Sequence, residues 1–240
     1  MDEPRFAENE AVSRRSALLK LGVLAAGAIG AGFGARELLD ASPAEAAGTG
    51  PAAVAAGLVS CVLTPEQTEG PYFVEGDKVR RNITEGRPGV PLTLRLTVLD
   101  VSTCKPIRNA VVDIWHCDAS GTYSGVQGDT GTFLRGIQRT NAKGVAVFQT
   151  IYPGWYQGRT VHIHVKVALG GNVVHTGQLY FSDKVTDAVY RRAPYRRRPN
   201  RTTRNAADSI YRNGGSRSTL RLVKNGSAYV GSLAMGVQRS

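Results

Sequence analysis

The chain has 240 residues, 42% of them hydrophobic, and a formal net charge of +11. That length accommodates one domain with a sizeable core plus appendages. The basic excess does not make a nucleic-acid binder: much of it lies in Arg191, Arg192, Arg196, Arg197, Arg198, Arg201 and Arg204, a stretch without a groove-reading element or stacking platform, which reads as a solvated basic face attracting acidic aromatic or polymeric substrates.

Residues 1–46 read as a targeting segment. Ser13-Arg14-Arg15-Ser16-Ala17-Leu18-Leu19 resembles a twin-arginine export signal, followed by a Gly/Ala-rich apolar run to Gly34 and an Ala44-x-Ala46 cleavage site. Leu21 to Gly34 is short of the ~20 residues a membrane span requires, so a signal peptide without a stable membrane anchor is expected, and a secreted or periplasmic bacterial protein. Residues 47–60 are Ala/Gly-rich and read as a flexible linker, leaving 61–240 as the domain.

Thr64 to Tyr72, with two prolines and two glutamates, is expected to be an irregular segment laid over the domain. Leu92, Leu94, Leu96 and Val98 alternate with less buried positions, a strand with one core face. Asp100 to Ile107 is a turn, and Asn109 to His116, apolar on both faces apart from Asp113, is expected as the second strand of a hairpin. Phe133 to Gln138 reads as a short strand or loop, and Asn141-Ala142-Lys143-Gly144 as a hairpin turn into Val145 to Ile151. From Val161 to Leu169 apolar odd positions alternate with His162, His164 and Lys166, which is a strand carrying both imidazoles on one face. Gly170-Gly171-Asn172 then turns the chain. A three-residue loop pairs Val173 with Leu169 and sets Gln178 opposite His164, whereas a two-residue loop would send Gln178 into the core, so the longer loop is expected. Asp183 to Tyr190 reads as a helical turn, and Ser218 to Leu222 and Ala228 to Leu233 as late strands. Short strands at this spacing indicate a mainly β fold, an antiparallel β-sandwich with irregular loops and little helix.

Cys61, Cys104 and Cys117 are an odd set for an exported chain. Cys104 and Cys117 flank an extended run whose ends are too far apart to bridge, so Cys61 is expected to pair with one of them, Cys104 in preference to Cys117.

Two adjacent histidines on a strand offer a metal only two ligands. No acidic residue occurs between Asp129 and Asp183, but Tyr123 and Tyr156 lie in Gly-rich turns. A phenol ionises near pH 10, so a phenolate at neutral pH calls for a strong Lewis acid such as ferric iron. Thr68-Glu69-Gly70-Pro71-Tyr72, Asp113-Ile114-Trp115-His116, Gly121-Thr122-Tyr123-Ser124-Gly125, Phe133-Leu134-Arg135-Gly136, Pro153-Gly154-Trp155-Tyr156, His162-Ile163-His164 and Gly177-Gln178-Leu179-Tyr180-Phe181 follow one another in an order that resembles the intradiol ring-cleavage dioxygenase family.

The resemblance implies a β-sandwich and a non-haem Fe(III) held by Tyr123, Tyr156, His162 and His164. It implies O2-dependent cleavage of a catechol between its two hydroxylated carbons, giving a cis,cis-muconate-type diacid. Tyr156 matches the ligand released when substrate binds, Arg159 a cation near the ring and Gln178 a pocket glutamine; Gly70, Pro71 and Tyr72 match a pocket wall. His116 is assigned to hydrogen bonding behind the site and His175 to the surface. The expected partners are a small catechol and O2, with no nucleic acid. The chain reads as a core-only member, monomeric or homodimeric. The competing reading from the residues is a non-catalytic module for aromatic or carbohydrate polymers, with Trp155 and Tyr156 as a stacking platform. A zinc hydrolase lacks a nearby carboxylate base.

Overall fold

The computed structural model describes residues 61–76, 78–126 and 128–239. The signal peptide expected at 1–46 and the linker at 47–60 lie outside the described residues. Two four-stranded sheets face each other. One has the order β4-β1-β8-β7, from β1 (Pro91–Asp100), β4 (Val145–Ile151), β7 (Arg221–Asn225) and β8 (Ala228–Val237); the other is β3-β2-β5-β6, from β2 (Val111–Trp115), β3 (Arg135–Arg139), β5 (His162–Leu169) and β6 (Asn172–Tyr180). This is the expected sandwich. Its pairing is antiparallel except between β1 and β8, which run parallel.

The core between the sheets is made by the predicted apolar alternations. Leu92, Leu94, Leu96 and Val98 of β1 meet Val112 and Ile114 of β2 and Ile163, Val165 and Val167 of β5 in one buried cluster. The expected hairpin between β1 and the following strand does not form, because the two strands lie in different sheets. β2 is buried on both faces and central in its sheet, so it needs partners on both sides, and β3 and β5 supply them. Thr140 secures that crossing: its hydroxyl donates to the Ile107 carbonyl at 2.6 Å and accepts from the Ala110 amide at 2.9 Å. Asn141 to Gly144 does form a turn, with the Asn141 side chain accepting from the Lys143 and Val145 amides, but it too changes sheets and joins no paired hairpin.

The turn after β5 corrects the loop length while preserving its consequence. Gly170 and Gly171, at φ 58° and 94°, form a two-residue loop that pairs Leu169 with Asn172. A bulge then leaves Val174 unpaired, and from Val167–His175 onward the register is the one that sets His164 opposite Gln178. The helical turn is present as α1 (Asp183–Tyr190), capped by the Ser182 hydroxyl, and a shorter α2 (Ser209–Arg212) is capped by Asp208. The late strands are present with shifted bounds: β7 begins at Arg221 and β8 runs on to Val237, where it lines β1.

Candidate metal centre

The outer face of the β2-β5-β6 strands is not open to solvent. Irregular segments around residues 66–74, 118–126 and 153–160 cover it, and His162 and His164 are both buried. Alternation along β5 puts the two imidazoles on this face with Lys166 beyond them. The His164 ring stacks on Trp115, directly across in β2, with centroids 4.9 Å apart and planes within 5°. The loops deliver Tyr123 and Tyr156, and Tyr72 stacks on Tyr123 at 4.4 Å.

The four donor atoms form a continuous chain of contacts. Tyr156 Oη lies 3.0 Å from His162 Nε2, which is 3.1 Å from His164 Nε2, which is 3.2 Å from Tyr123 Oη. His162 Nδ1 sits 2.6 Å from the Thr160 carbonyl, which can only accept, so Nδ1 carries the proton and Nε2 presents its lone pair. The Tyr156 hydroxyl therefore donates to His162 Nε2, and His164 Nε2 lies within hydrogen-bonding distance of both His162 Nε2 and Tyr123 Oη. Burial drives the His162 imidazole down to about 3, with the Arg159 cation adding to it, and burial and His162 hold His164 well below its ordinary value. Burial pushes the Tyr156 phenol up to about 12 against the pull of Arg159, and burial likewise holds the Tyr123 phenol well above its ordinary value.

Behind these groups lies a hydrogen-bonded frame. Arg159 donates from Nε to Asp208 Oδ2 at 2.9 Å and from Nη2 to Gln178 Oε1, while Gln178 Nε2 donates to the Thr68 carbonyl at 3.0 Å. Asp208 also accepts from the Thr160 amide at 2.8 Å, so one buried carboxylate fixes both Arg159 and the residue whose carbonyl orients His162. Burial opposes its ionisation, yet the Thr160 amide and Arg159 hold its carboxyl below the ordinary value. Gly70 is tight against His164: a Cβ there would meet Cε1 at 3.1 Å, and its φ of 75° favours glycine. Pro71 follows it on the exposed side of the turn. Lys166 locks the covering segment, paired with Glu69 and lying 3.6 Å over the Phe73 ring.

The structure thus brings Tyr123, Tyr156, Arg159, His162, His164 and Gln178 together, with Gly70 and Tyr72 against them. His116 lies behind the site as expected, bonded to Thr150 Oγ1 at 2.7 Å and to the Cys117 carbonyl at 2.8 Å. His175 is a correction. It is buried on the inner side of β6 beneath Glu66, since its place two residues before Gly177 and four before Leu179 puts it on the inward face. The disulfide joins Cys61 to Cys104, and Cys117 is a buried free thiol. The basic stretch is also less solvated than its composition suggests. Arg201 is buried in ion pairs with Asp183 and Asp187, and Arg198 lies over Trp155. Asp208 carried no signal in the sequence, because it caps a four-residue helix after the strand pattern has dissolved.

The donor set fits a hard trivalent cation with some nitrogen affinity. Two buried imidazole nitrogens and two phenol oxygens converge. A sequence profile for the family described as Dioxygenase matches residues 68–193. An intradiol ring-cleavage dioxygenase from Tetranychus urticae is 37% identical in sequence and superposes with a TM-score of 0.72 over 74% of this chain and 95% of that one. The dioxygenase domain of a dioxygenase carbohydrate-binding protein fusion from the cellulolytic bacterium Streptomyces sp. SirexAA-E is 32% identical, with a TM-score of 0.58 over 75% and 100%. Catechol 1,2-dioxygenase 1 of Acinetobacter lwoffii is 32% identical over 123 residues, and the chain spans only 39% of that protein's length. By the profile match and the likeness to the Tetranychus enzyme, the chain belongs to the intradiol ring-cleavage dioxygenase family.

Proposed function

We propose that this chain is a non-haem Fe(III) dioxygenase that cleaves a catechol between its two hydroxylated carbons, with the iron held by Tyr123, Tyr156, His162 and His164. The observation that carries this is the continuous chain of four donor atoms, with successive separations of 3.0, 3.1 and 3.2 Å, three of them on buried residues and the fourth on the half-buried Tyr156. Bound there, Fe(III) supplies Lewis acidity that lowers the pKa of a coordinated catechol and prepares its ring for O2. The protein's residues supply the rest. Thr160 fixes the tautomer of His162, and Trp115 and Gly70 fix the plane of His164. Tyr156, at the half-buried end of the donor chain, would as a phenolate accept a catechol proton. Arg159, immobilised by Asp208 and Gln178, presents a fixed cation for negative charge developing on the substrate. Tyr72, packed on Tyr123, sets an aromatic wall beside the four donors. The stacking-platform alternative is disfavoured because Arg198 already occupies the face of Trp155.

Iron analysis with a visible spectrum and product identification tests this. The protein should be coloured by its phenolate-iron bond and convert catechol, without added reductant, to an ultraviolet-absorbing diacid; His162→Ala or His164→Ala should lose both iron and colour. A yellow semialdehyde product, or full iron occupancy in either variant, would overturn the assignment.

Export through the twin-arginine signal is part of the same proposal, and the Cys61–Cys104 disulfide supports an oxidising compartment. In that setting the substrate would be a catechol released outside the cell. N-terminal sequencing of the secreted protein should begin at Ala47, and a cytoplasmic full-length product would refute the export.

A further inference from the structure

Arg198 belongs to the stretch whose composition suggests a solvated basic face, but its guanidinium is committed elsewhere. Nη1 donates to the Trp155 carbonyl at 2.6 Å, and the group lies 4.5 Å over the Trp155 ring. That same carbonyl faces the Tyr123 loop. A Cβ on Gly121 would stand 2.3 Å from Trp155 O and 3.1 Å from Arg198 Nη1. Gly121 is two residues before Tyr123, and Trp155 is one before Tyr156. The guanidinium therefore sits on the seam between the loops that carry the two phenols. The seam is reciprocal, since the Gly154 amide donates to the Asp118 carbonyl at 3.1 Å and a Cβ on Gly154 would stand 2.3 Å from that oxygen. Two neighbours of Arg198 grip the same loop further back: Tyr190 Oη donates to the Pro153 carbonyl at 3.1 Å and Tyr195 Oη to the Tyr152 carbonyl at 2.6 Å. The basic stretch is thus the outer clamp of the loop that leads to Tyr156.

We propose that Arg198 is a positioning residue for the centre, holding the Tyr123 loop against the Tyr156 loop and so setting the spacing of the two phenols. The proposal rests on the dioxygenase reading only in treating those phenols as ligands; the clamp itself is testable without iron. Amide hydrogen exchange is compared in metal-free wild type, R198Q, R198K and R196Q. Arg196, exposed in the same stretch, controls for loss of charge. In R198Q, exchange of the hydrogen-bonded amides of Ser120, Gly121, Thr122 and Gly154 should accelerate roughly 10- to 100-fold, the scale of losing a hydrogen bond from a charged donor. R198K, which keeps a charged donor for the carbonyl, should recover part of that protection, and R196Q should match wild type. After iron loading, the visible band of R198Q should shift while that of R196Q does not. Unchanged exchange in R198Q, equal acceleration in R196Q, or an unshifted band in R198Q would overturn the clamp. A wild type that binds no iron and cleaves no catechol would instead overturn the dioxygenase reading, and the exchange comparison alone would then decide on Arg198.

Discussion

Asp208 shows how much of this site depends on a residue with no ligand or substrate role. Its carboxylate is 1% exposed and its partner Arg159 17%, so the pair is largely withdrawn from water. Replacing Asp208 by Asn keeps a side chain able to cap α2 but removes the counter-charge, leaving a mostly buried guanidinium facing an amide. Loss of one partner of a buried pair costs about 3 kcal/mol at the lower end of the usual range, and urea melts at pH 7 should show a destabilisation of that order. Because the folded carboxyl is held below its ordinary value, its contribution is present above the unfolded pKa and lost as the pH falls through the folded one. The gap between variant and wild type should therefore narrow below pH 4; a gap that widened there would contradict the pairing. The histidines and tyrosines were legible in the sequence because alternation on a strand and glycine-rich turns leave a local pattern. Asp208 was not, since it lies 49 residues from Arg159 and depends on a return of the chain that no periodicity announces.

At the level of the element, β5 and β6 show which pairing information a sequence holds. The face assignment was legible: Gln178 had to oppose His164 if Leu179 was to stay in the core, and it does. The means was not, because a three-residue loop and a two-residue loop followed by a bulge give the same register beyond Val167, and side-chain alternation cannot distinguish them. The missed sheet changes after β1 and β3 have a similar origin, since a good turn sequence states that the chain reverses without saying which neighbour the next strand takes. The bulge makes a specific prediction. Deleting Val174 removes the unpaired residue, so that Leu169–Asn172 and Ala168–Val173 run directly into Val167–His175 and Gln178 remains opposite His164. Iron content and the visible band of this variant should match wild type. Loss of both would mean that the bend of the bulge, and not register alone, shapes the site.

On the scale of the whole molecule, a sandwich with one sheet face roofed by irregular segments leaves every histidine buried. All four imidazoles in the chain are inside: His162 and His164 in the centre, His116 behind it, and His175 under the segment that begins the roof. Burial lowers each of them, His116 and His175 to about 4, His162 to about 3, and His164 well below its ordinary value. The unfolded chain takes up protons on all four near pH 6.5, whereas the folded chain refuses them, so the unfolded state binds more protons throughout the interval between. Stability of the iron-free protein must therefore fall as the pH drops from about 6.5 toward 4, each histidine contributing at most ~1.4 kcal/mol per pH unit. The depressed carboxylates, Asp208 among them, act in a separate window below that. Urea melts of iron-free protein at pH 7, 6 and 5 should yield a slope between pH 6 and 5 equivalent to uptake of more than two protons on unfolding. His175→Gln, a change outside the four-donor centre, should reduce that count by about one. A stability that stayed level or rose between pH 6 and 5 would mean that water reaches these histidines in the folded chain, the two of the centre included, and that the burial on which the proposed chemistry depends does not hold in solution.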